Sequence, residues 1–183
     1  MVASSIKAIP KNSNSASKNL PKNLPVPLSP HSPFLPSMPV PLELRLRKLH
    51  PDAILPQYQH PGDAGVDLHA LEALAIAPHS TALIKTGLAA EIPPGTELQI
   101  RPRSGLALKH SITVLNSPGT IDANYRGEIG VILINHSNET FHITPTMRIA
   151  QMVMAPVLQA TITEVTELSQ TTRGSGGFGS TGG

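Results

Sequence analysis

Gly119-Thr-Ile-Asp-Ala-Asn-Tyr-Arg-Gly-Glu128 is the stretch whose reading decides the fold. Pro118-Gly119 marks a turn, Thr120-Ile121 is a short β-prone step, and Ala123 to Gly127 marks a second turn. An alternating strand pattern starts at Glu128. The stretch therefore predicts a hairpin with one carboxylate, Asp122, at its mouth and one ring, Tyr125, three residues on. An acid and a ring beside unpaired backbone groups can grip a flat base and activate a water. Taken alone, a Gly-bounded turn with a solvated Asp is the simpler reading. The rest of the chain shifts the balance.

Downstream, Ile129–Ile134, Thr140–Ile143, Ile149–Val157 and Thr161–Val165 read as strands. Upstream, the same holds for Glu43–Arg47, Ile76–Ile84, Glu97–Arg101 and Ile112–Leu115. Gly62 to Gly65 turns the chain into Val66-Asp67-Leu68-His69, and Ser104–His110 is the one short helical segment. Short strands between Pro, Gly and Asn turns predict an all-β fold, a distorted jelly roll or barrel. With aromatic residues at 3% and no Trp, its core must be aliphatic.

Residues 1–42 differ from the rest of the chain. Nine prolines from Pro10 to Pro41, set among Ser, Asn and Lys, predict a disordered, partly polyproline-II arm. The arm lacks acid, but it also lacks Arg and an apolar centre, so a flexible tail is preferred to an organelle signal and the expected compartment is the cytoplasm. The division expected is an arm over 1–42, a β domain over 43–167 and a Gly-rich lid over 168–183.

Composition excludes several functions. There is no Cys among the 183 residues, hence no disulfide, thiolate metal site or cysteine nucleophile. The pI of about 9.1 suggests a basic protein, yet Lys7, Lys11, Lys18 and Lys22 account for the excess. Without them the remainder is near −2, no platform for nucleic acid. No apolar run approaches the ~18–20 residues of a membrane helix.

Four polar groupings remain. Asp67 lies at a strand end. Arg103-Ser104-Gly105 opens the helical segment, where backbone N–H groups, a hydroxyl and a guanidinium can hold an anion, although Ser104 also reads as a plain N-cap. Arg148 and Gln151 lie on a strand. The terminus from Arg173 to Gly183 carries Phe178, one of three Phe, on a segment with no core to join. Such a segment suits closure over a phosphorylated aromatic ligand.

Five strings in order then carry a resemblance: Ala64-Gly-Val-Asp-Leu68, Pro102-Arg-Ser-Gly-Leu-Ala107, Gly119 to Gly127, Arg148-Ile-Ala-Gln151 and Arg173-Gly-Ser-Gly-Gly-Phe-Gly-Ser-Thr181. Together they resemble the motifs of the trimeric deoxyuridine triphosphatases over residues 42–183. The resemblance implies hydrolysis of dUTP to dUMP and pyrophosphate with Mg²⁺, keeping uracil out of DNA and supplying dUMP. It also implies a homotrimer with sites shared between subunits, and no membrane or direct nucleic-acid partner. Asp122 would activate the water. Arg103, Ser104 and Gly105 would hold the phosphates, with Asp67 anchoring Arg103 or reaching the metal through water. Gln151 would lie near the phosphates and Arg148 would support them. Asn116, Gly119, Thr120 and Ile121 would read uracil, and Tyr125 would wall the sugar. Arg173 would meet the γ-phosphate, Phe178 would cover the base, and Gly179, Ser180 and Thr181 would wrap the phosphates. Mg²⁺ would be held by phosphates and waters, with no direct protein ligand.

Two rivals stand beside this reading. One is a deoxycytidine triphosphate deaminase of the same general fold, the other a non-catalytic binding or regulatory relative. Three departures from the family pattern bear on loop shape: Asn124 for a common Asp, Ser111 for a common Gly, and Thr146-Met147 before Arg148. Ser111 puts a left-handed turn in doubt, and Thr146-Met147 suggests a rebuilt one.

Overall fold

Eight-residue alternation in Glu128–Asn135 sets the centre of the molecule: Ile129, Val131, Leu133 and Asn135 point inward and are buried. The structure is a computed structural model, and it describes residues 42–177. In chain order its elements are β1 (Arg45–Lys48), β2 (Val66–His69), β3 (Leu74–Ile76), β4 (Thr81–Glu91), β5 (Thr96–Arg101), α1 (Ser104–His110), β6 (Ile112–Val114), β7 (Gly119–Ile121), β8 (Glu128–Asn135), β9 (Phe141–Ile143) and β10 (Arg148–Pro156). The all-β expectation with one short helix holds.

The strands form two four-stranded sheets, ordered β1-β4-β8-β6 and β2-β10-β5-β7, and a small β3-β9 pair. Every pairing is antiparallel. The inner faces of both sheets meet in one aliphatic cluster, with Ile84, Leu88, Val131 and Leu133 from one and Leu68, Leu98, Ile100 and Met152 from the other. Leu68, Leu98 and Val131 are fully buried. At ~1.5–3 kcal/mol for each large aliphatic side chain, this interior offsets much of the entropy of ordering many short strands.

Asn135 is the exception that ties the layer ends together. Its side chain has no exposed surface. Nδ2 donates to the carbonyls of Ile76 at 3.0 Å and Glu139 at 2.7 Å, while Oδ1 accepts from the Ser137 N–H at 2.9 Å and hydroxyl at 2.8 Å. A buried amide is tolerated because its donors and acceptor are matched.

Two expected strands are corrected. Ile76–Ile84 is not continuous: Pro78 contributes no N–H, His79 takes φ 55°, and the Ser80 N–H closes a turn on the Ala77 carbonyl at 3.3 Å. The chain therefore leaves β3 and starts β4 at Thr81. Thr161–Val165 forms no strand at all, since from Val157 to Gly177 the chain has no strand or helix. Its alternation is that of a strand, but among the described residues no strand lies beside it to take its backbone hydrogen bonds.

The departures at Ser111 and Thr146 leave their turns in place. Ser111 adopts the left-handed conformation, φ 56° and ψ 31°, and its N–H closes the end of α1 on the Ala107 carbonyl. Thr146 also has a positive φ, 68°. A β-branched residue is strained there, but it is held by its N–H donating to the Ala70 carbonyl at 2.8 Å.

Candidate active site

Asp67 and Gln151 are directly opposite each other on β2 and β10, and Gln151 in turn faces Arg101 on β5. This register brings the sequence-predicted Asp67, Arg148 and Gln151 to one end of the second sheet. Asp67 accepts from Arg103 Nε through Oδ1 at 2.8 Å and from Arg148 Nη1 through Oδ2 at 3.3 Å. Arg103 Nη1 also donates to the Arg148 carbonyl at 3.1 Å, and Gln151 Nε2 donates to the Pro102 carbonyl at 2.8 Å. One carboxylate thus holds two guanidiniums, leaving the group net positive, as an anion site requires. Asp67 is 17% exposed and Arg103 26%, whereas Arg148 is half exposed at 53%. The tight, sheltered pair is Asp67 with Arg103.

Local sequence explains the close packing. Gly65, just before β2, leaves no room for a side chain: a Cβ there would lie 3.0 Å from Val153 Cγ2 and 3.2 Å from Gln151 Oε1. Arg103 is the extended residue that begins α1, and Ser104 is the first helical residue, so the N-cap reading of Ser104 gives way to Arg103. No side chain caps that end. Ser104 and Gly105 are exposed there.

The second grouping is the hairpin of the opening stretch. Its turn closes with the Tyr125 N–H donating to the Asp122 carbonyl at 3.0 Å. Tyr125 folds back so that a Cβ on Gly127 would overlap its ring, and its hydroxyl donates to the Glu128 carbonyl at 3.0 Å. The ring is fixed, yet 47% of the residue remains exposed. Thr120, Ile121, Asp122 and Tyr125 line a recess of about 210 Å³. A second recess, of about 460 Å³, lies on another side of Asp122, against Glu97, Asn124 and Gln159. Asp122 is exposed, and among the described residues no group hydrogen-bonds its carboxylate. Asn116 lies over Gly119, its Nδ2 at 3.2 Å from where a Cβ would stand. The Ser117–Pro118 peptide between them is cis.

Asp122 and Arg103 sit toward opposite ends of β5, while Gly119, paired with Ile100, lies nearer the Arg103 end. Leu98 pairs with Ile121, which sets Asp122 beside Glu97, while Arg103 follows Arg101. Glu97 and Arg101 are about 13 Å apart along an extended strand. The structure brings Asp67, Arg103, Arg148 and Gln151 together and Asn116, Gly119, Thr120, Ile121, Asp122 and Tyr125 together; β7 runs beside β5 between them, with Gly119 toward the first set and Asp122 away from it. Arg173 lies in an exposed turn, its Nε donating to the Gly176 carbonyl at 2.8 Å. Phe178, Gly179, Ser180 and Thr181 lie outside the described residues, as does the arm through residue 41.

Sequence reading missed His69. It faces Arg148 across the β2–β10 ladder and lies two residues from Asp67, hence on the same side of β2. Its Nδ1 is buried with no hydrogen-bond partner. Burial pushes its imidazole below the ordinary histidine value; Arg148 and Arg103 add to this and Asp67 opposes it. The strand period placing His69 beside Asp67 was the available signal.

The fold and these groupings define a two-sheet, all-β protein with a carboxylate-anchored guanidinium pair and an acid-bearing hairpin. Comparison with known families narrows it. The chain belongs to the dUTPase family, whose model matches residues 51–182. It is 75% identical over 141 residues to the deoxyuridine 5'-triphosphate nucleotidohydrolase of a Picosynechococcus species, covering 77% of this chain and 99% of that protein. It is 57% identical over 139 residues to the enzyme of the same name from Clostridioides difficile, covering 76% and 97%. Among solved structures, the Staphylococcus bacteriophage 80alpha dUTPase with dUPNHPP aligns at a TM-score of 0.71 and 28% identity, over 76% of this chain and 98% of that one. A dUTPase from phage phi11 of S. aureus, described with a structural Mg(II) ion, aligns at 0.64 and 27%, over 68% and 97%.

Proposed function

We propose that the chain hydrolyses dUTP to dUMP and pyrophosphate in a homotrimer whose sites each draw on more than one subunit. The observation that carries this reading is the separation of Asp122 from Arg103 along β5. One chain holds both halves of a site at opposite ends of a strand, so a neighbouring copy must bring the complementary half.

Two surfaces support association. On the outer face of the first sheet, Leu83 faces Ile132 across β4 and β8, and the Leu115 N–H bonds the Ile132 carbonyl from the other side. Leu83 and Leu115 are exposed there, an apolar row of the kind that marks an interface. In the tail, Leu158, Ile162, Val165 and Leu168 are also exposed. Added to another subunit's sheet edge, that segment would become the strand its alternation predicts.

In this reading uracil lies against the backbone of Gly119, Thr120 and Ile121 with Asn116, and the Tyr125 ring walls the sugar. A site that pairs the uracil edge leaves groups unpaired against cytosine, at ~1–3 kcal/mol each. Arg103, Ser104 and Gly105 hold the phosphates, anchored by Asp67, with Gln151 beside them and Arg148 in support. Arg173 and residues 178–181 close from the tail. Asp122 orients a water and takes its proton as the oxygen attacks the α-phosphorus. The bridging bond to the β-phosphate breaks and pyrophosphate leaves. Positioning supplies most of the effect, with proton transfer worth ~10²–10⁴-fold.

Mg²⁺ fits this site as a phosphate-borne ion. Among the described residues no three His, Asp or Glu side chains converge, and Asp67 is already committed to two guanidiniums. Phosphate oxygens and waters would be its ligands, with Asp67 reaching it through water. When bound, the ion offsets phosphate charge. No described helix is long and apolar enough to cross a membrane; a cytoplasmic setting belongs to the same proposal.

The test is pyrophosphate release from dUTP, dTTP, dCTP and UTP by wild type and Asp122→Asn. Mixing Asp122→Asn with Arg103→Ala subunits then probes sharing. Each variant alone is nearly inactive, but random mixed trimers regain activity at about a quarter of their sites. No recovery on mixing overturns the shared site, and no dUTP turnover by wild type overturns the activity.

A further inference from the structure

His69, half-buried with its Nδ1 shielded and unpartnered, is a titratable group near the guanidinium pair that the proposed reaction leaves without a task. Its main chain is clamped. The Ala70 N–H donates to the Met147 carbonyl at 2.9 Å and the Leu71 N–H to the Lys85 carbonyl at 2.9 Å, so the ring's base cannot drift. Opposite it, β10 changes register between Arg148 and Ala150. A bulge of this kind re-aims a side chain, and the side chain at its edge is Arg148.

Arg148 is held loosely. Its contact with Asp67 is 3.3 Å against 2.8 Å for Arg103, and 53% of its side chain is exposed. A guanidinium keeps its protons and can only donate, so a second resting place must be an acceptor. Asp67 is one acceptor and already serves Arg103. Directly opposing residues in an antiparallel ladder have Cβ atoms about 5 Å apart, which puts the imidazole within a rotamer change of the Arg148 head. Nδ1 of a neutral imidazole has the lone pair required, with its proton on Nε2.

We propose that His69 is a positioning residue: its neutral Nδ1 accepts an N–H of Arg148 when that guanidinium turns from Asp67 toward the nucleotide's phosphates. The charged groups facing it are Asp67 on its own strand, Arg148 on β10 and Arg103 after β5. Burial and the two cations shift the ring toward its neutral form, the form that can accept. This inference rests on the dUTP-hydrolysing reading and adds a residue to its phosphate side.

The test compares wild type, His69→Phe and His69→Gln in the full chain. Phe keeps a ring without an acceptor, and Gln restores one. His69→Phe is expected to raise KM for dUTP about three- to tenfold, the worth of one hydrogen bond, with kcat within about twofold. His69→Gln is expected to stay within about twofold of wild type in both. An unchanged KM in the Phe variant, or a Gln variant as impaired as Phe, overturns the proposal. Wild type provides a check free of variant folding. The ¹⁵N resonance of His69 Nδ1 should move on addition of pyrophosphate, and a stationary signal overturns the assignment. Wild-type turnover of dUTP with an indifferent His69 sinks this inference alone, whereas absent wild-type turnover sinks the function beneath it.

Discussion

Arg103 and Asp67, 36 residues apart in the chain, meet through Nε and Oδ1 at 2.8 Å in a sheltered pocket of charge. Asp67 also restrains Arg148, from a sequence distance of 81 residues. A single carboxylate therefore pins both guanidiniums. Asp67→Asn keeps the shape but leaves two guanidiniums without their counter-charge. A loss of about 10- to 100-fold in kcat/KM for dUTP is expected, from charge-assisted bonds worth ~1.5–3 kcal/mol. Steady-state kinetics check it.

Asp122 has the opposite character. It is exposed and unbonded by other described groups, so its replacement should cost the fold nothing. Asp122→Asn is expected to lower kcat by ~10²–10⁴-fold while leaving the thermal unfolding midpoint unchanged. A shifted midpoint would mean that the acid carries structural weight absent from the geometry.

Tyr125 is braced by the Glu128 carbonyl and by the bare backbone of Gly127. Removing the ring in Tyr125→Ala should admit UTP measurably, raising its turnover relative to dUTP. Gly127→Ala should do the same by a different route, since the new methyl must displace the ring. Parallel kinetics with the two nucleotides on both variants decide the point. Unaltered UTP turnover in either one speaks against the sugar wall.

Asn135 tests the fold apart from the chemistry. Asn135→Ala takes the amide donor from the buried Ile76 carbonyl and the acceptor from the half-buried Ser137 N–H, and leaves a cavity in its place. At ~1–3 kcal/mol for a buried group left unpaired, the loss is a sizeable fraction of a typical domain's stability. Urea unfolding should show the loss, while any variant that still folds keeps its KM.

His69 imposes a pH dependence on stability. Its folded pKa lies below the unfolded value of 6.5, so the unfolded chain binds the proton first. Its contribution is fully present above pH 6.5 and is lost as pH falls from there toward the folded pKa. Urea midpoints for wild type should decline over that window. The decline should be shallower in His69→Gln, which has no proton to bind.

The sequence by itself determined the local conformations and the chemical inventory of this protein. Period-two alternation marked Glu97–Arg101 and the run starting at Glu128 as strands, because a half-buried strand must alternate. The five strings carried enough of the family pattern to point to dUTP. Where a local signal was overridden it lay in backbone detail: Pro78 and His79 broke a run that looked continuous, and the left-handed backbone at Ser111 survived the loss of a glycine.

The tertiary structure alone decided who meets whom. Strand order put β10 between β2 and β5, and only that order makes Asp67 partner of both Arg103 and Arg148, or sets His69 across from Arg148. The same register fixed Asp122 and Arg103 at opposite ends of β5, and among the described residues it left Thr161–Val165 without a strand beside it. Pairing across dozens of residues is a property of the assembled sheet, since each strand's pattern states which face is buried and is silent on which neighbour it will find.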